Sequence, residues 1–433
     1  MTRRRSAMAH VPSVVLCVPL LVSAMDHYEL VTTGQACPES SRIRLPCGAC
    51  GPDWGNVQNC KDQCSASDLC THIAWFQTNG CRIYSGCDLD AGAGGGAQAD
   101  VYKRAYPAHQ RPDGSCDVLA AHGSPCVAAH SVVRALYQRY HGPIYRVLRD
   151  SDKSALDIGV DSEGLADVSA QDKFCAGTGC YILRIYDQSP RGNHLDTAPA
   201  GGACRLPGGA GLKPVNATRE QVAIGGHTVY GAYFEGRQGY RNDKTNGVAT
   251  REGEESMYMV ARGDHYNEGC CFDYGNAETN DLDDGEGTME AVYFGSSHGG
   301  GHGQGAGPWV MADLENGLWA GDERVARAPS VGHRFVMAMA KGKAGGFALK
   351  GGSAQGGSLT TLWEGGRPKN GHYDHMKLQG AIILGIGGDA SCAAVGTFYE
   401  GAMTADYTSD TADNALHANI VASGYGQSAP FII

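Results

Sequence analysis

Charge is scarce in this chain: Asp, Glu, Lys and Arg make up 19% of its 433 residues. The balance is acidic, at −11, and no basic run occurs outside the first few residues. Nucleic-acid binding leaves a basic patch or stripe, so its absence argues against a nucleic-acid partner and for a neutral or polar one. Long apolar runs are missing too. Beyond residues 1–24, no stretch is apolar enough to supply the roughly 20 residues that cross a bilayer as a helix, and no membrane partner is expected once that leader is removed. Long helices fit poorly with 63 glycines, because glycine weakens helix interiors and serves turns and bulges. These absences together leave an all-β class.

Residues 1–24 read as a secretory signal peptide, with Arg3-Arg4-Arg5 ahead of a short apolar stretch and Val22-Ser23-Ala24 as the cleavage site. Removing them takes away Cys17 and leaves 16 of the 17 cysteines. An even number of cysteines in a secreted chain implies oxidised pairs. An extracellular location is therefore expected. Asn216-Ala217-Thr218 is an N-glycosylation acceptor in keeping with it.

The cysteines divide the chain. Eight lie between Cys37 and Cys87, marking a small crosslinked α+β module over residues 26–105. A short helix is expected in NCKDQCSASDLC, with Cys60 and Cys64 on one face, followed by strands in THIAWFQ, GCRIYSGC and DVYKRA. The module resembles PAN/apple-type modules, which bind proteins or glycans. Residues 106–114 form the linker. From 115 to 433, alternating or apolar runs broken by Gly and Asp predict a β-sandwich of the concanavalin or jelly-roll kind. Two helices are expected there, over 126–140 and 411–423, from apolar residues at helical spacing.

Three places carry chemistry. The first is the adjacent pair Cys270-Cys271. Neighbouring α-carbons lie about 3.8 Å apart across a trans peptide, and ordinary disulfides prefer roughly 4.4–6.8 Å. A bond between these two would close a small ring that spans no loop and serves as a surface; separate partners or free buried thiols are the alternatives. The second is WVMADLE, where period-two alternation puts Trp309, Met311, Asp313 and Glu315 on one face and Val310, Ala312 and Leu314 on the other. The third is the apolar strand over 381–388, ending in Gly-Ile-Gly-Gly before Asp389. Glycoside hydrolysis needs two carboxyls facing across the scissile bond, and Glu315 and Asp389 are the candidate pair. Glu278, Glu290 and Glu400 compete on sequence logic alone. His298 and His302, in a Gly/His-rich loop, are too few for a metal site, and neither a metal nor a cofactor is expected.

The runs CVAAHSVVRALY, DVSAQDKFC, IYDQSPRGNHL, GYRND, HYNEGCCFDYGNAE, GPWVMADLENGL, GAIILGIGGD and GTFYEGAMT, in this order from about Ser115 to Tyr425, resemble the catalytic domain of α-L-arabinofuranosidases of glycoside hydrolase family 54. The resemblance implies a retaining mechanism with Glu315 as nucleophile and Asp389 as acid/base. It implies that Asp313, Asn316 and Gly388 bind the arabinofuranose ring, with Gly317 beside them where the family usually has a second asparagine. Cys270–Cys271 falls on the family's vicinal disulfide, which lies against the sugar. The other family bridges map to Cys116–Cys126 and Cys175–Cys180, which leaves Cys204–Cys392 by elimination. The family's substrate-contacting tryptophan has no counterpart near Gly300, and its usual C-terminal arabinose-binding β-trefoil has none in the sequence up to Ile433. The expected substrate is an arabinose-containing polysaccharide or oligosaccharide, such as arabinan or arabinoxylan. A β-xyloside, a galactofuranoside, or lectin-like binding without catalysis are the competing readings.

Overall fold

A computed structural model describes residues 27–33, 61, 72–76, 80–84, 100–105 and 111–427, the last stretch without 200, 205 and 370. The chain divides into two compact units, Met1–His109 and Gln110–Ile433. In the first, four strands form an antiparallel sheet in the order His27–Thr33, Asp100–Ala105, His72–Phe76, Gly80–Tyr84. Ile73, Ala74, Phe76 and Val101 are buried apolar side chains among its described residues. Of the segment 59–70, only Lys61 is described, and it is helical. Residues 1–24, residues 106–110 and the pairing of the N-terminal cysteines lie outside the described residues.

The second unit is a β-sandwich. One layer is centred on Glu255–Arg262, which pairs antiparallel with Phe335–Lys343 on one side and Gly396–Thr404 on the other. It continues through Gly346–Ser353 to Thr360–Gly366, and from Gly396–Thr404 to Cys126–Ser131 and His227–Phe234. The facing layer runs from Leu318–Trp319 through Trp309–Asp313, Glu290–Gly295 and Asp273–Ala277 to Ala381–Leu384 and Tyr240–Asn242. Met257, Tyr258, Met337, Met339, Val292 and Val310 belong to one continuous core. Strands buried on both faces read as unbroken apolar runs rather than alternations.

That burial explains one correction. The segment 126–140 is not a helix: Cys126–Ser131 is a strand, buried at every position, paired with Gly396–Thr404. A short apolar run has no period that separates a buried strand from a helix. The C-terminal helix spans Asp410–Ala422, capped by the Ser409 hydroxyl accepting from the Ala412 N–H. Two further helices, Ser115–Ala121 and Val168–Cys175, each end in or carry a crosslinked cysteine. Cys116–Cys126 ties the first to the following strand, and Cys175–Cys180 ties the second to Cys180–Ile185, each with α-carbons 5.7 Å apart.

Candidate active site

The strand Trp309–Asp313 stops two residues short of Glu315. Glu315 and Asn316 instead form the middle of a tight reversal, with φ of 58° and 49°. Leu314 N–H donates to the Gly317 carbonyl at 3.2 Å, and the chain returns as Leu318–Trp319. Two consecutive positive φ values are the signature of a type I′ hairpin turn. Alternation therefore governs the strand but not Glu315. Trp309 and Met311 pack with Cys271 in a small apolar cluster, while Val310, Ala312 and Leu314 enter the main core. A left-handed glutamate costs about 1 kcal/mol or more. It is held there by Glu315 N–H donating to Asp313 Oδ1 at 3.1 Å and by the Tyr373 hydroxyl donating to the Glu315 carbonyl at 3.0 Å.

Asn316 is exposed at the tip of the turn, and Gly317 is buried behind it. A β-carbon on Gly317 would press on the Trp319 indole, and one on Gly300 would meet the Gly317 α-carbon at 2.7 Å. The Gly/His-rich loop lies directly on this turn: Gly301 N–H donates to the Leu318 carbonyl and Leu318 N–H to the Gly299 carbonyl, at 2.7 and 3.0 Å. That close approach leaves no room for a side chain at either glycine. His298 and His302 pack edge-on to each other and against Trp309, with ring centroids 4.4–5.5 Å apart.

Asp389 follows the strand Ala381–Leu384 through a turn in which Gly387 N–H donates to the Ser391 carbonyl. Its carboxylate accepts from the Ser391 N–H at 2.8 Å, and its carbonyl from the Ala203 N–H at 2.8 Å. Cys204–Cys392 closes the same junction covalently, with α-carbons 5.5 Å apart. On the other side of this loop stands the bonded pair Cys270–Cys271. The peptide between them is cis, so their α-carbons are 3.0 Å apart rather than at the trans spacing. The Ser391 hydroxyl lies 3.8 and 3.7 Å from the two sulfurs. Ala393 N–H donates to the Cys270 carbonyl. The sulfurs and the Asp313 carboxylate lie within 4.8 Å of one another. Both sulfurs are spent on the disulfide, so this grouping is not a thiolate metal site.

Asp313, Glu315, Gly388, Asp389 and the cysteine pair are thus brought together, and two acids join them. Asp273 and Glu278 stand at the start and just beyond the end of the strand Asp273–Ala277, both fully buried. No N–H or O–H donor among the described residues reaches either Asp273 oxygen. Burial, then the Asp313 charge, holds Asp273 well above the usual carboxylate range. Asp313 is raised to about 7 by burial, against the Asp273 hydrogen bond. Glu278 and Glu315 are both raised as well, first by burial. Glu315 is raised further by the charges of Glu278, Asp313 and Asp389.

The remaining competitors are used elsewhere. Glu290 takes a two-bond fork from Arg367, each bond 2.9 Å, and Glu400 a fork from Arg134. Both pairs are buried, as charges in an interior must be. Asn216 opens the strand Asn216–Ile224, half-buried, its side-chain oxygen accepting from the Thr218 N–H at 2.9 Å. Asp273 carries no motif of its own beyond its place after the paired cysteines, and nothing local sets Arg241 apart inside GYRND.

Five carboxyls converging on one turn and one loop, with an apolar disulfide beside them, form a site that can hold a polyol and pass protons. Residues 115–426 match the family described as "Alpha-L-arabinofuranosidase B, catalytic". A protein of Aspergillus terreus, "Probable alpha-L-arabinofuranosidase B", is 50% identical over 315 residues, covering 72% of this chain and 62% of the relative. An "Arabinofuranosidase/B-xylosidase" of Trichoderma koningii is 50% identical over 314 residues, covering 72% and 63%. The crystal structure of an arabinofuranosidase complexed with arabinofuranosyl-α-1,2-xylobiose superposes with a TM-score of 0.71 at 46% identity, covering 72% of this chain and 66% of that one. The chain therefore spans under two thirds of the length of these relatives. Its match over 115–426 makes it a member of the α-L-arabinofuranosidase B catalytic family.

Proposed function

We propose that this protein is a secreted, retaining α-L-arabinofuranosidase that releases terminal arabinofuranose from arabinan- or arabinoxylan-type side chains. The observation that carries the reading is the meeting of Glu315 and Asp389, from separate segments, beside Asp313 and the Cys270–Cys271 platform. Glu315 attacks the anomeric carbon while Asp389 protonates the leaving oxygen. Water activated by Asp389 then releases arabinose with its configuration retained. Asp313 orients ring hydroxyls with Asn316 and the Gly317–Gly388 backbone. The disulfide offers an apolar face to the sugar's carbon side. Similarity to a structure holding arabinofuranosyl-α-1,2-xylobiose supports the substrate class.

Residues 26–105 act, in this proposal, as a PAN/apple-like module that binds protein or glycan, and Asn216 carries a glycan. The test is hydrolysis of an aryl α-L-arabinofuranoside followed by NMR. Initial formation of the α-anomer supports retention; the β-anomer first would reject it. Arabinan binding with no sugar release would favour a lectin instead. The dual name of the Trichoderma koningii relative favours one second reading, β-xylosidase activity in the same pocket. Comparing aryl β-D-xyloside with the arabinofuranoside and a galactofuranoside decides it.

A further inference from the structure

Three loops meet beside the paired cysteines, and one residue bonds to all of them. Residues 264–271 carry the disulfide, 296–301 are the Gly/His-rich segment that lies on the Glu315 turn, and 389–395 carry Asp389. The shared residue is Asn267, half-buried and three positions ahead of Cys270. Its Oδ1 accepts from the Gly269 N–H and from the Val395 N–H, each at 3.1 Å. Its Nδ2 donates to the Ala393 carbonyl at 3.0 Å. Its own carbonyl accepts from the Ser296 N–H at 3.1 Å. These partners fix the orientation of the amide, because two N–H groups require its oxygen and a carbonyl requires its nitrogen. An ionised aspartate of the same shape has no donor for Ala393, and an alanine makes none of the three side-chain bonds.

The disulfide loop and the Asp389 loop touch closely where Asn267 joins them. Ala393 N–H donates to the Cys270 carbonyl at 2.9 Å, and a β-carbon on Gly269 would collide with the Ala393 carbonyl. The Asp389 loop has a second set of anchors. The Ala203 N–H and the Cys204–Cys392 bridge hold it to residues 203–204, and the Arg237 N–H donates to the Cys392 carbonyl at 2.7 Å. Asp389 stands on the loop between these two sets of anchors, its carboxylate steadied by the Ser391 N–H. We propose that Asn267 is a positioning residue for Asp389: through the backbone of 393–395 it fixes where the acid/base carboxyl stands relative to the disulfide surface. This rests on the arabinofuranosidase reading above, in which the sugar lies on that surface and Asp389 protonates the leaving oxygen. Asn267 takes no part in the proton transfer itself. A displacement of about 1 Å in a reacting group costs on the order of 10²-fold in rate. Here the displaced group is the acid, so the cost falls on bonds that need a proton to break.

The experiment compares Asn267→Ala and Asn267→Asp with the full-length enzyme on two substrates, an arabino-oligosaccharide and 4-nitrophenyl α-L-arabinofuranoside. The ratio kcat/KM reports cleavage of the glycosidic bond, and the nitrophenolate leaves without a proton. Asn267→Ala should lose about 10²-fold in kcat/KM on the oligosaccharide and less than about tenfold on the nitrophenyl substrate. Asn267→Asp keeps the shape and both accepted bonds but sets an oxygen against the Ala393 carbonyl. It should show the same preference with a loss of about tenfold on the oligosaccharide. A defect of folding alone removes active enzyme equally for both substrates, so equal losses overturn the proposal, as does no loss on either. Independently of turnover, amide hydrogen exchange of residues 389–395 should be about tenfold faster in Asn267→Ala, with Glu255–Arg262 unchanged. Unaltered exchange in 389–395 overturns the proposal as well. If the wild type cleaves neither substrate, the arabinofuranosidase reading fails, while hydrogen exchange still decides whether Asn267 holds the Asp389 loop. If Asn267→Ala fails to fold, Asn267→Asp carries both measurements.

Discussion

Arg241 donates through Nη1 to the carbonyl oxygen of Gly388 at 2.9 Å, from a side chain almost wholly buried. The same guanidinium pairs with Asp243 at 2.6 Å and with Asp281, and reaches the Glu278 carbonyl. One planar fork thus fixes the backbone on both sides of the carboxyl cluster, a task a lysine point charge cannot perform. Arg241→Met should destabilise the fold by about 3 kcal/mol, because it leaves Asp281 without its cation. Urea midpoints measure that, and kcat should fall more than KM rises.

Glu315 and Asp389 should separate by leaving group. Glu315→Gln should abolish turnover of every substrate. Asp389→Asn should cost about 10²–10⁴-fold on an arabino-oligosaccharide, the usual worth of a general acid. It should cost far less in the first step on 4-nitrophenyl arabinofuranoside, whose phenolate leaves without a proton. Steady-state and burst kinetics on both substrates test this; equal losses would reject the roles.

The carboxyl cluster should make stability depend on pH. Asp273, Glu278, Asp313 and Glu315 are all raised in the folded chain. Unfolded, they release protons near pH 4. Between that pH and the raised values the folded state binds more protons, so stability falls as pH rises. Asp273→Asn removes one such group and keeps a donor toward Asp313. Its urea midpoint should exceed wild type at about pH 7 and match it near pH 4. An unchanged slope would count against a protonated Asp273.

Cys204–Cys392 joins residues 188 apart and sits three residues from Asp389. Replacing both by alanine should cost on the order of 2–5 kcal/mol and lower kcat by loosening the loop that carries Asp389. Thermal melting and kinetics with and without the bridge check it.

Much of the strand layout could be read from local pattern. Residues 255–262, 335–343 and 396–404 are apolar blocks bounded by turn residues, and they are the centre of one layer. The segment 126–131 could not be read, because a strand covered on both faces shows no alternation. The alternation expected at Glu315 fails for a related reason. Alternation ends where the strand ends, and two left-handed residues in a row are set by the returning chain. Glu278, Glu290 and Glu400 are indistinguishable as acids until their partners are visible; two face arginines and one takes only the Thr288 hydroxyl.

By itself the sequence determined the β class, the chemistry of the WVMADLENG and GIGGD segments and the unusual cysteine neighbours, because these depend on residues close together in the chain. Only the tertiary structure decided which acids meet. Asp273, Glu278, Glu315 and Asp389 come from three separate segments, and their ionisation follows from burial and from one another's charge. Those are distances through space, which spacing along the chain does not contain.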